Sequence, residues 1–512
     1  MPSFYIPLSG LDADSTALNT IANNLSNMNT TGFKSQTTTF SDLFYQEIGS
    51  SGSGDEIQAG SGVQVATNTT DFTTGSISSA SSTSDVAING TGFFVLDNNG
   101  SQLYTRNGAF QVSSDGTLQS SGGLAVMGYP ATNGVVNTSG ELGDITIPTG
   151  TVMAPSATTT FSVTQNLDSS GDSASSPITL YDSLGQSYTA TVTYTKTGNN
   201  EWSYNISMPD TLTPASTTTA GTTTVSYDFG SSSGTLATVD TGTNLTITAP
   251  ATAGGTATTA LPTFTGSPET VADYVTDLNT ALTAAGITTG TGGVTVSANA
   301  AGVLTISGAN VSTTGSVIQD PVSANTTGTL TFDANGNLAN PGANVSGISF
   351  AGLSDGAATL NLNWGLYGST GSSNISQTAS ANSTSDPTQN GYTSGEYQSF
   401  SVDSSGVISA KFSNSQTETI GQLALATVSN EEGLEAEGST NYATTNASGD
   451  ASIGVAGSGG RGAIEDSNLE ASNVDISAEF SDLIVAQRAF EANSKAVTTF
   501  DTVTQDAINM IH

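Results

Sequence analysis

The two ends of this chain carry the feature that most restricts its fold. Each end has apolar residues at alternating spacings of three and four, which mark one face of a helix. The spacing is shared by Leu8, Leu11, Ser15, Leu18, Ala22, Leu25 and Asn29 at one end, and by Leu483, Ala486, Phe490, Asn493, Val497, Phe500, Thr504, Ala507 and Ile511 at the other.

The C-terminal segment gives the stronger helix prediction. From Val474 to Ile511 it contains neither Pro nor Gly, so it is predicted to be one helix about 57 Å long. A helix with an apolar face needs a partner, and we predict a terminal helix pair, built from both ends and used for assembly. Packing of each end on a local globular core is the alternative.

Between the two ends the sequence is typical of β-structure. Charged residues make up 10% of the chain, against about 25% in ordinary globular proteins, and Ser, Thr, Asn and Gly take their place. Four short segments lie between apolar runs and are predicted to be hairpin turns, because none continues to the Glu that a Ca²⁺ loop needs. These are Asp97–Gly100, Ser113–Gly116, Asp333–Gly336 and Asp403–Gly406.

A low-complexity segment at 211–325 is predicted to be a small α+β domain, with a disordered linker as the alternative. Inside it, a helix that opens at Ser267-Pro268-Glu269 and stops at Gly286 would bury one face. That face carries Val271, Tyr274, Val275, Leu278 and Leu282.

Charge and composition exclude several classes of function. The chain has 7 Lys and Arg against 43 Asp and Glu, a net charge of −36, no Cys, and one His at position 512. Disulfides, Cys-ligated metals and thiol catalysis are therefore excluded, and a His-based triad is not expected. The charge opposes binding to nucleic acid, and no apolar run is long enough for membrane insertion. We expect no enzyme activity, no metal and no cofactor, and no cleaved secretory signal, because the first Lys is Lys34.

Three groups of residues resemble the signatures of the bacterial flagellar rod, hook and hook-associated axial proteins. They occur in the same order as in that family and together are very specific. The groups are Leu8–Leu11, Ala22–Asn27 and Asn29–Lys34; Asp85–Phe94 and Tyr104–Phe110; and Asn468–Ile476 and Ala486–Lys495.

Within the family, the outer regions resemble those of the hook members rather than the shorter distal rod members. The similar segments include Tyr181–Gly185, Leu330–Gly336 and Gly391–Gly395, whereas the 211–325 insertion departs from shorter hook members. The resemblance implies a structural subunit that self-assembles into a curved tubular universal joint and transmits torque from rod to filament. The alternatives are another flagellar axial protein, distal rod-like or hook-associated, and a secreted adhesin or surface-layer protein.

The resemblance also implies an architecture. The expected fold class is α+β, mainly β, with long terminal helices forming an inner coiled-coil layer and β-rich domains outside. The expected nested domains are 1–32 with 466–512, 33–150 with 391–465, 151–210 with 326–390, and the insertion 211–325.

Partners and location follow from the same resemblance. The subunit would form a homopolymeric helical tube outside the cell. It would meet the distal rod protein at the base, and the hook-associated junction protein and hook cap at the tip. It would leave the cell through the flagellar type III export apparatus, with its N-terminus uncleaved.

The residues expected to matter for assembly lie in the matched motifs or on the two helix rows described above. Gly32 is predicted to adopt a positive φ, and Arg488 to pair either with Glu491 or Asp482 or with a neighbouring subunit. Phe40 and Phe44 resemble a short export-gate motif, which Phe4 and Leu8 fit equally well, and core packing is the alternative. The full assembly set is Leu8, Leu11, Leu18, Asn23, Asn24, Leu25, Asn27, Gly32, Phe33, Leu469, Glu470, Ser472, Asn473, Val474, Asp475, Leu483, Gln487, Arg488, Phe490, Asn493, Val497 and Phe500.

Overall fold

The chain divides into two compact units in the computed structural model. Unit 1 contains Met1–Thr151 and Glu396–His512, and unit 2 contains Val152–Gly395. The predicted fold class, mainly β with helices at both ends, is confirmed. Within the described ranges, no helix has the length and apolar character needed to cross a membrane. The structure describes residues 4–50, 56–212, 214–229, 231–232, 235–236, 238–240, 243–252, 255–260 and 270–510.

The helices form close to where the sequence predicts them. Helix α1 spans Tyr5–Ser26, α2 spans Val271–Ala284 and α3 spans Ile476–Asn509, with a short 3-10 turn at Glu431–Gly433. The uninterrupted C-terminal helix is therefore confirmed, although Ile511 lies outside the described residues.

Helix α2 lies in unit 2 and has the predicted buried face. Val271, Tyr274, Leu278 and Leu282 are buried, Val275 is half-buried, and Gly286 follows the helix with φ +73°. Its predicted opening at Ser267-Pro268-Glu269 lies outside the described residues.

Unit 1 starts with α1 and a series of strands that alternate with tight turns. In chain order these strands are β1 (Gln36–Asp42), β2 (Tyr45–Ser50), β3 (Glu56–Gly60), β4 (Val63–Thr70), β5 (Ile77–Ser79), β6 (Val86–Asn89), β7 (Phe93–Asn98), β8 (Ser101–Thr105), β9 (Phe110–Val112), β10 (Leu118–Ser120), β11 (Ala125–Thr132), β12 (Val135–Val136) and β13 (Gly143–Asp144).

Unit 2 consists of short strands around α2. They are β14 (Val152–Met153), β15 (Thr160–Asp168), β16 (Ser173–Tyr181), β17 (Ser187–Gly198), β18 (Glu201–Ser207), β19 (Asp210–Leu212), β20 (Ala215–Thr219), β21 (Thr222–Asp228), β22 (Ser231–Ser232), β23 (Thr235–Leu236), β24 (Thr238–Val239), β25 (Thr246–Pro250), β26 (Thr256–Ala260), β27 (Thr295–Ala298), β28 (Val303–Ala309), β29 (Ser312–Thr314), β30 (Val317–Asp320), β31 (Val322–Ala324), β32 (Thr327–Phe332), β33 (Leu338–Asn340), β34 (Val345–Ala351), β35 (Leu360–Trp364), β36 (Ile375–Thr378) and β37 (Ser383–Gln389).

The chain then returns to unit 1 and ends in α3. The returning strands are β38 (Gly395–Val402), β39 (Val407–Phe412), β40 (Thr417–Thr427), β41 (Glu435–Gly438), β42 (Asn441–Ala443), β43 (Ser452–Val455), β44 (Ala463–Asp466) and β45 (Asn468–Glu470).

The main sheet of unit 1 interleaves strands from both halves of the chain. Its antiparallel order is β38-β39-β40-β11-β7-β8-β42-β41, so β40 lies between β39 and β11. Strand β45 pairs with β5 and β44 with β6, which ties the segment before α3 to the N-terminal strands. Apolar side chains such as Phe94, Leu96 and Leu425 fill the core of this unit.

Unit 2 has two apolar cores. One lies between the sheet β31-β34-β35-β15-β36 and the sheet β16-β17-β18-β32-β33, with Trp202 and Trp364 fully buried. The other packs α2 against strands of the 211–325 segment. The four predicted hairpin turns are confirmed, and Gly100, Gly116, Gly336 and Gly406 all have positive φ.

Candidate assembly region at the terminal helices

The terminal helices α1 and α3 pack against each other in antiparallel fashion. Phe4 contacts Phe500 edge to face, with ring centroids 6.1 Å apart. Further along, the Nδ2 of Asn493 donates a hydrogen bond of 2.9 Å to Asp14. A Cβ at Gly10 would lie only 2.6 Å from that same Nδ2, so glycine permits the close approach of the two helices.

The other end of the pair is held by the buried side chain of Asn24. Its Nδ2 donates to Glu479 of α3 at 2.8 Å and to the carbonyl of Gln36 at 2.7 Å. Its Oδ1 accepts from the Gln36 N–H at 2.9 Å. One side chain therefore joins α1, α3 and the start of β1, which is why an Asn at this position does more than end the helix. Burial raises the pKa of Glu479, and Asp482 and Asp475 raise it further.

The structure differs from the sequence prediction on which face of α1 meets its partner. The buried residues of α1 are Pro7, Gly10, Ala13, Thr20 and Asn24, not the leucine row. Small residues such as Gly10 and Ala13 occupy the face that meets α3, because they let the two helix backbones approach closely. Leucines on that face would hold the helices apart.

The leucines and the neighbouring asparagines of α1 lie elsewhere on its surface. Leu8 is 58% exposed, and Leu11, Leu18 and Leu25 are half-buried. Asn23 is exposed and Asn27 is half-buried, where Asn27 bonds back to Asn23 within the last turn.

On α3 the predicted row is the less exposed face. Leu483, Asn493, Val497 and Phe500 are half-buried, while Phe490 is 38% exposed. Gln487 and Arg488 lie on the exposed side, where Arg488 pairs with Glu491 at 3.1 Å. The first of the predicted alternatives for Arg488 is thus present within one copy of the chain.

A buried ion cluster of Lys34, Arg106 and Glu470 joins the segment after α1, the end of β8 and the end of β45. The Glu470 carboxylate accepts from the Lys34 Nζ at 2.6 Å and from the Arg106 Nη1 at 3.3 Å. It also accepts from the backbone N–H of Gly75 at 2.8 Å. All three charged side chains are at most 2% exposed, and together they join segments that are hundreds of residues apart in sequence.

The electrostatics of this ion cluster depend on mutual pairing. Burial lowers the pKa of both Lys34 and Arg106, and Glu470 opposes that shift in each. Burial raises the pKa of nearby Glu431, and the two cations offset part of that increase. Lys34 also donates to the Thr73 carbonyl at 2.6 Å and Arg106 to the Gly90 carbonyl at 2.6 Å. Both cations share the Glu470 carboxylate, and the buried Nε of Arg106 has no hydrogen-bond partner among the described residues, so the cluster depends strongly on Glu470.

The motif before α3 connects this ion cluster to the helix. The side chain of Asn473 accepts from the Ser35 N–H at 2.8 Å and donates to the Asp71 carbonyl at 2.8 Å. Asp475 caps α3 by accepting from the N–H groups of Ser477 and Ala478. Leu469, Ser472 and Val474, which belong to the same predicted set, are half-buried.

Gly32 has the positive φ that the sequence predicts, at +68°. A Cβ there would lie 2.7 Å from the backbone of Arg106. Its N–H donates to the Glu470 carbonyl at 2.8 Å, and the next residue, Phe33, is half-buried. This glycine lets the chain leave α1 directly over the ion cluster.

The two aromatic residues of the predicted export motif are both exposed. Phe40 lies on β1 and is 46% exposed, and Phe44, between β1 and β2, is 90% exposed. Core packing, the alternative interpretation, does not apply to Phe44 within one copy of the chain, because its side chain is almost fully exposed.

Sequence reasoning missed Lys34 and Arg106 as site residues, although both stand inside the matched motifs. A signal was available, because the chain has only seven basic residues and these two follow aromatic or β-like stretches. A scarce cation in an apolar stretch indicates a buried ion pair.

Comparison with known families matches most of the chain in order. The matching descriptions are Flagella basal body rod protein at residues 4–34, Flagellar hook protein FlgE/F/G D1 domain at 87–166, Flagellar basal body protein FlaE D2 domain at 149–307 and 293–392, and Flagellar basal body rod FlgEFG protein C-terminal at 465–510.

Two relatives are similar to this chain over nearly their whole length, and a third is similar over a quarter of its length. The flagellar hook protein FlgE of Salmonella typhimurium is 30% identical over 529 aligned residues, covering 99% of this chain and 100% of the relative. That of Treponema pallidum is 30% identical over 538, covering 100% and 99%. The Helicobacter pylori protein is 39% identical over 187, which is 36% of this chain and 25% of the relative.

A β-rich chain whose two ends meet in one helix pair, and whose segments match this series of families, is an axial structural component of the bacterial flagellum. Within that class, the chain belongs to the flagellar hook protein family and is a structural subunit of the hook, outside the cell.

Proposed function

We propose that copies of this chain assemble through their terminal helices into a curved tube that transmits torque from rod to filament. The observation that carries the proposal is the set of large apolar side chains exposed on α1 and α3. Leu8, Phe480, Ile484 and Val485 are each about half exposed or more. Their burial against neighbouring copies would stabilise a polymer by about 25 cal/mol for each Å² of apolar surface removed from water.

The predicted assembly residues divide into two roles under this proposal. Residues of the ion cluster and of its connection to α3, such as Glu470, Asn473 and Asp475, fix the direction in which the helices leave the sheets. Exposed residues, such as Leu8 and Phe490, meet other copies. A helix as short as α1 has little stability alone in water, so ordering inside the polymer would make assembly cooperative.

The proposed mechanics depend on the low charge of the surface. A universal joint bends while it rotates, so contacts between outer regions must shift in every turn. Contacts rich in Thr, Ser, Asn and Gly can exchange with water at little cost, whereas large dry apolar contacts would resist sliding. The composition, with charged residues at 10%, supports such contacts.

We also propose that the chain is organised as four nested domains. The inner two, 1–32 with 466–512 and 33–150 with 391–465, would together correspond to unit 1. The outer two, 151–210 with 326–390 and 211–325, would correspond to unit 2. The separate apolar cores of the two outer segments support that division.

We further propose the partners that the family implies. The distal rod protein would bind at the base, and the junction protein and hook cap at the tip. The type III export apparatus would secrete the chain with its N-terminus intact. The exposure of Phe40 and Phe44 supports their recognition during export, since both aromatic rings are accessible.

Electron microscopy under polymerising conditions tests the assembly proposal. We would compare the full chain with a chain lacking residues 1–26 and 476–512, which keeps the ion cluster and every strand. Short curved tubes with a lumen from the full chain alone support the proposal. Straight tubes would favour a rod-like role, and tubes from the shortened chain would contradict assembly through the helices. Circular dichroism of the shortened chain checks that its sheets remain folded.

A further inference from the structure

A groove of about 270 Å³ lies between α1, α3 and β1 of unit 1. Ile21, Val485 and Ala489 contribute apolar surface to it, and Asp14, Glu479 and Asp482 contribute carboxylates. We call it the acidic groove. A groove with both apolar walls and negative charge suits the side chain of an Arg or Lys, whose stem is apolar and whose head is positive.

Within the described part of the chain, no ion pair involves the carboxylates of the acidic groove. Among the residues that the structure describes, ion pairs join Glu470 with Lys34 and Arg106, and Arg488 with Glu491. Asp14 accepts a hydrogen bond from the neutral side chain of Asn493, and Glu479 accepts one from that of Asn24. Carboxylates that line one groove without a cation among the described residues repel each other, and a cation from another copy would relieve that repulsion.

Few basic side chains in this protein are available to supply such a cation. Lys34 and Arg106 are buried in the ion cluster. Arg461 donates to the carbonyls of Leu425, Ser458 and Ser452. Of the others, Lys196 donates to the Ser169 carbonyl and Lys411 lies on β39. Arg488 and Lys495 lie on α3, where Arg488 forms an exposed pair with Glu491. An exposed pair of this kind is weak and can be exchanged for another carboxylate.

Arg488 and Lys495 are exposed and lie on one side of α3. They are seven residues apart, which at 3.6 residues per turn places them within about 20° of each other. Ile484, 59% exposed, precedes Arg488 by one turn on the same side. Glu479 lies nine residues before Arg488, about 180° away around the helix. Glu491, which pairs with Arg488 at 3.1 Å, lies on this side as well, so the side carries two cations and one carboxylate. We call Ile484, Arg488 and Lys495 the basic ridge.

We propose that the basic ridge of one copy docks into the acidic groove of the next copy in the polymer. This inference rests on the proposed function and names the contact through which it acts. Two complementary patches on opposite sides of one helix cannot satisfy each other within a copy, and they produce a head-to-tail contact that continues from copy to copy. In a chain of net charge −36, such pairs also offset the repulsion between subunits.

Charge reversal of the ridge tests this contact by the critical concentration for polymerisation, measured by sedimentation of the full chain. Arg488→Glu with Lys495→Glu is expected to raise it at least tenfold. Asp482→Arg alone is expected to raise the critical concentration as well, because it places a positive charge in the acidic groove opposite the ridge. Asp482 is exposed, so the change should not disturb the fold. Combining all three changes is expected to restore the critical concentration to within about threefold of the original.

Two matched controls separate pairing from total charge. Lys411→Glu adds negative charge on a strand and is expected to change the critical concentration less than twofold. Asp12→Lys, added to the double reversal in place of Asp482→Arg, reverses an exposed charge on α1 outside the groove and is expected not to restore assembly.

The outcomes distinguish this contact from the proposed function. Polymerisation of the double reversal at the original concentration would overturn the contact while leaving assembly through the helices intact. Equal rescue by Asp12→Lys and Asp482→Arg would overturn it as well, because net charge alone would then explain the effect. Failure of the unaltered chain to polymerise would overturn both. Circular dichroism checks that each variant is folded.

Discussion

Glu470 is the residue on which the buried charges of unit 1 depend. It is the acid that both Lys34 and Arg106 contact, and all three are removed from water. A buried pair adds little stability compared with apolar residues of the same size, but removal of one member leaves a buried charge uncompensated. The position therefore tolerates little change.

Replacement Glu470→Gln is expected to destabilise unit 1 by about 3–5 kcal/mol, because it preserves size while leaving two buried cations without their carboxylate. Hydrogen exchange of unit 1 measures the loss. Both tryptophans, Trp202 and Trp364, lie in unit 2, so their fluorescence provides an internal reference that should not change. The control Glu491→Gln breaks an exposed pair and is expected to cost about 0–1 kcal/mol. Equal effects of the two variants would contradict this account.

Asp320 is expected to make unit 2 less stable as the pH rises. Burial and the neighbouring Asp240 raise its pKa from 3.8 to about 6. A raised pKa means that the folded state binds the proton more tightly, so this contribution to stability is complete below about pH 4 and is lost as the pH rises through about 6. Urea unfolding followed by tryptophan fluorescence should show a lower midpoint at pH 7 than at pH 5.

The variant Asp320→Asn removes the titrating group and should flatten that dependence between pH 4 and 7. The control Asp333→Asn changes an exposed turn residue whose pKa is lowered by hydrogen bonds to Asn337, so its titration lies at lower pH. A pH profile that Asp320→Asn leaves unchanged would assign the effect to other carboxyls.

Some of these residue roles could be predicted from sequence and others could not. Asn473, Asp475 and Glu470 were singled out by the motif before α3, and the φ of Gly32 followed from its place after a helix. The pairing of Glu470 with Lys34 was not predictable, because 436 residues separate them and no local pattern connects them. Such pairings depend on the topology of the sheets, which brings β45 beside β5.

At the scale of elements, the close approach of α1 and α3 depends on a residue without a side chain. Replacement Gly10→Val is expected to displace Asn493 from Asp14 and to separate the helices, at a cost of about 1–3 kcal/mol for overpacking. Hydrogen exchange along α3 near Asn493 should become faster. The control Ala22→Val adds the same side chain at an exposed position of α1 and should leave that exchange unchanged. Equal exchange in both variants would show that the helices accommodate the extra atoms.

The extents of the helices were predictable from local sequence patterns. The identity of the face of α1 that is buried was not predictable. The absence of Pro and Gly defined α3, and the periodicity and Gly286 defined α2. For α1 the leucine spacing indicated one face, while the structure buries Gly10 and Ala13. Hydrophobic periodicity cannot distinguish a face that packs within the chain from one left for other molecules.

At the scale of the whole molecule, a net charge of −36 opposes any assembly of identical copies. Screening extends over about 30 Å at 0.01 M salt and about 8 Å at 0.15 M. We therefore expect polymerisation, followed by light scattering, to be faster at 150 mM than at 10 mM NaCl. An uncharged osmolyte at equal osmolality should not reproduce the increase, because it does not screen charge. A rate that falls with salt would mean that attractive pairs outweigh the general repulsion.

The mainly β class and the helical ends were predictable for the whole chain, because they follow from composition and periodicity. The order of strands in the main sheet of unit 1 was not, since β40 lies between β39 and β11 although nearly three hundred residues separate β11 from β40. Pairings between such distant segments are decided by three-dimensional packing rather than by local sequence.

The paired backbone hydrogen bonds between Ser156 and Tyr392, each 2.9 Å long, hold the beginning and the end of unit 2 side by side. A chain that departs and returns through neighbouring residues can be lengthened, shortened or exchanged between them while the rest keeps its path. Unit 2 can therefore be exchanged as a single insert joined at these two residues. The terminal helices, which under the proposed assembly would have to fit other copies of themselves, offer no such freedom.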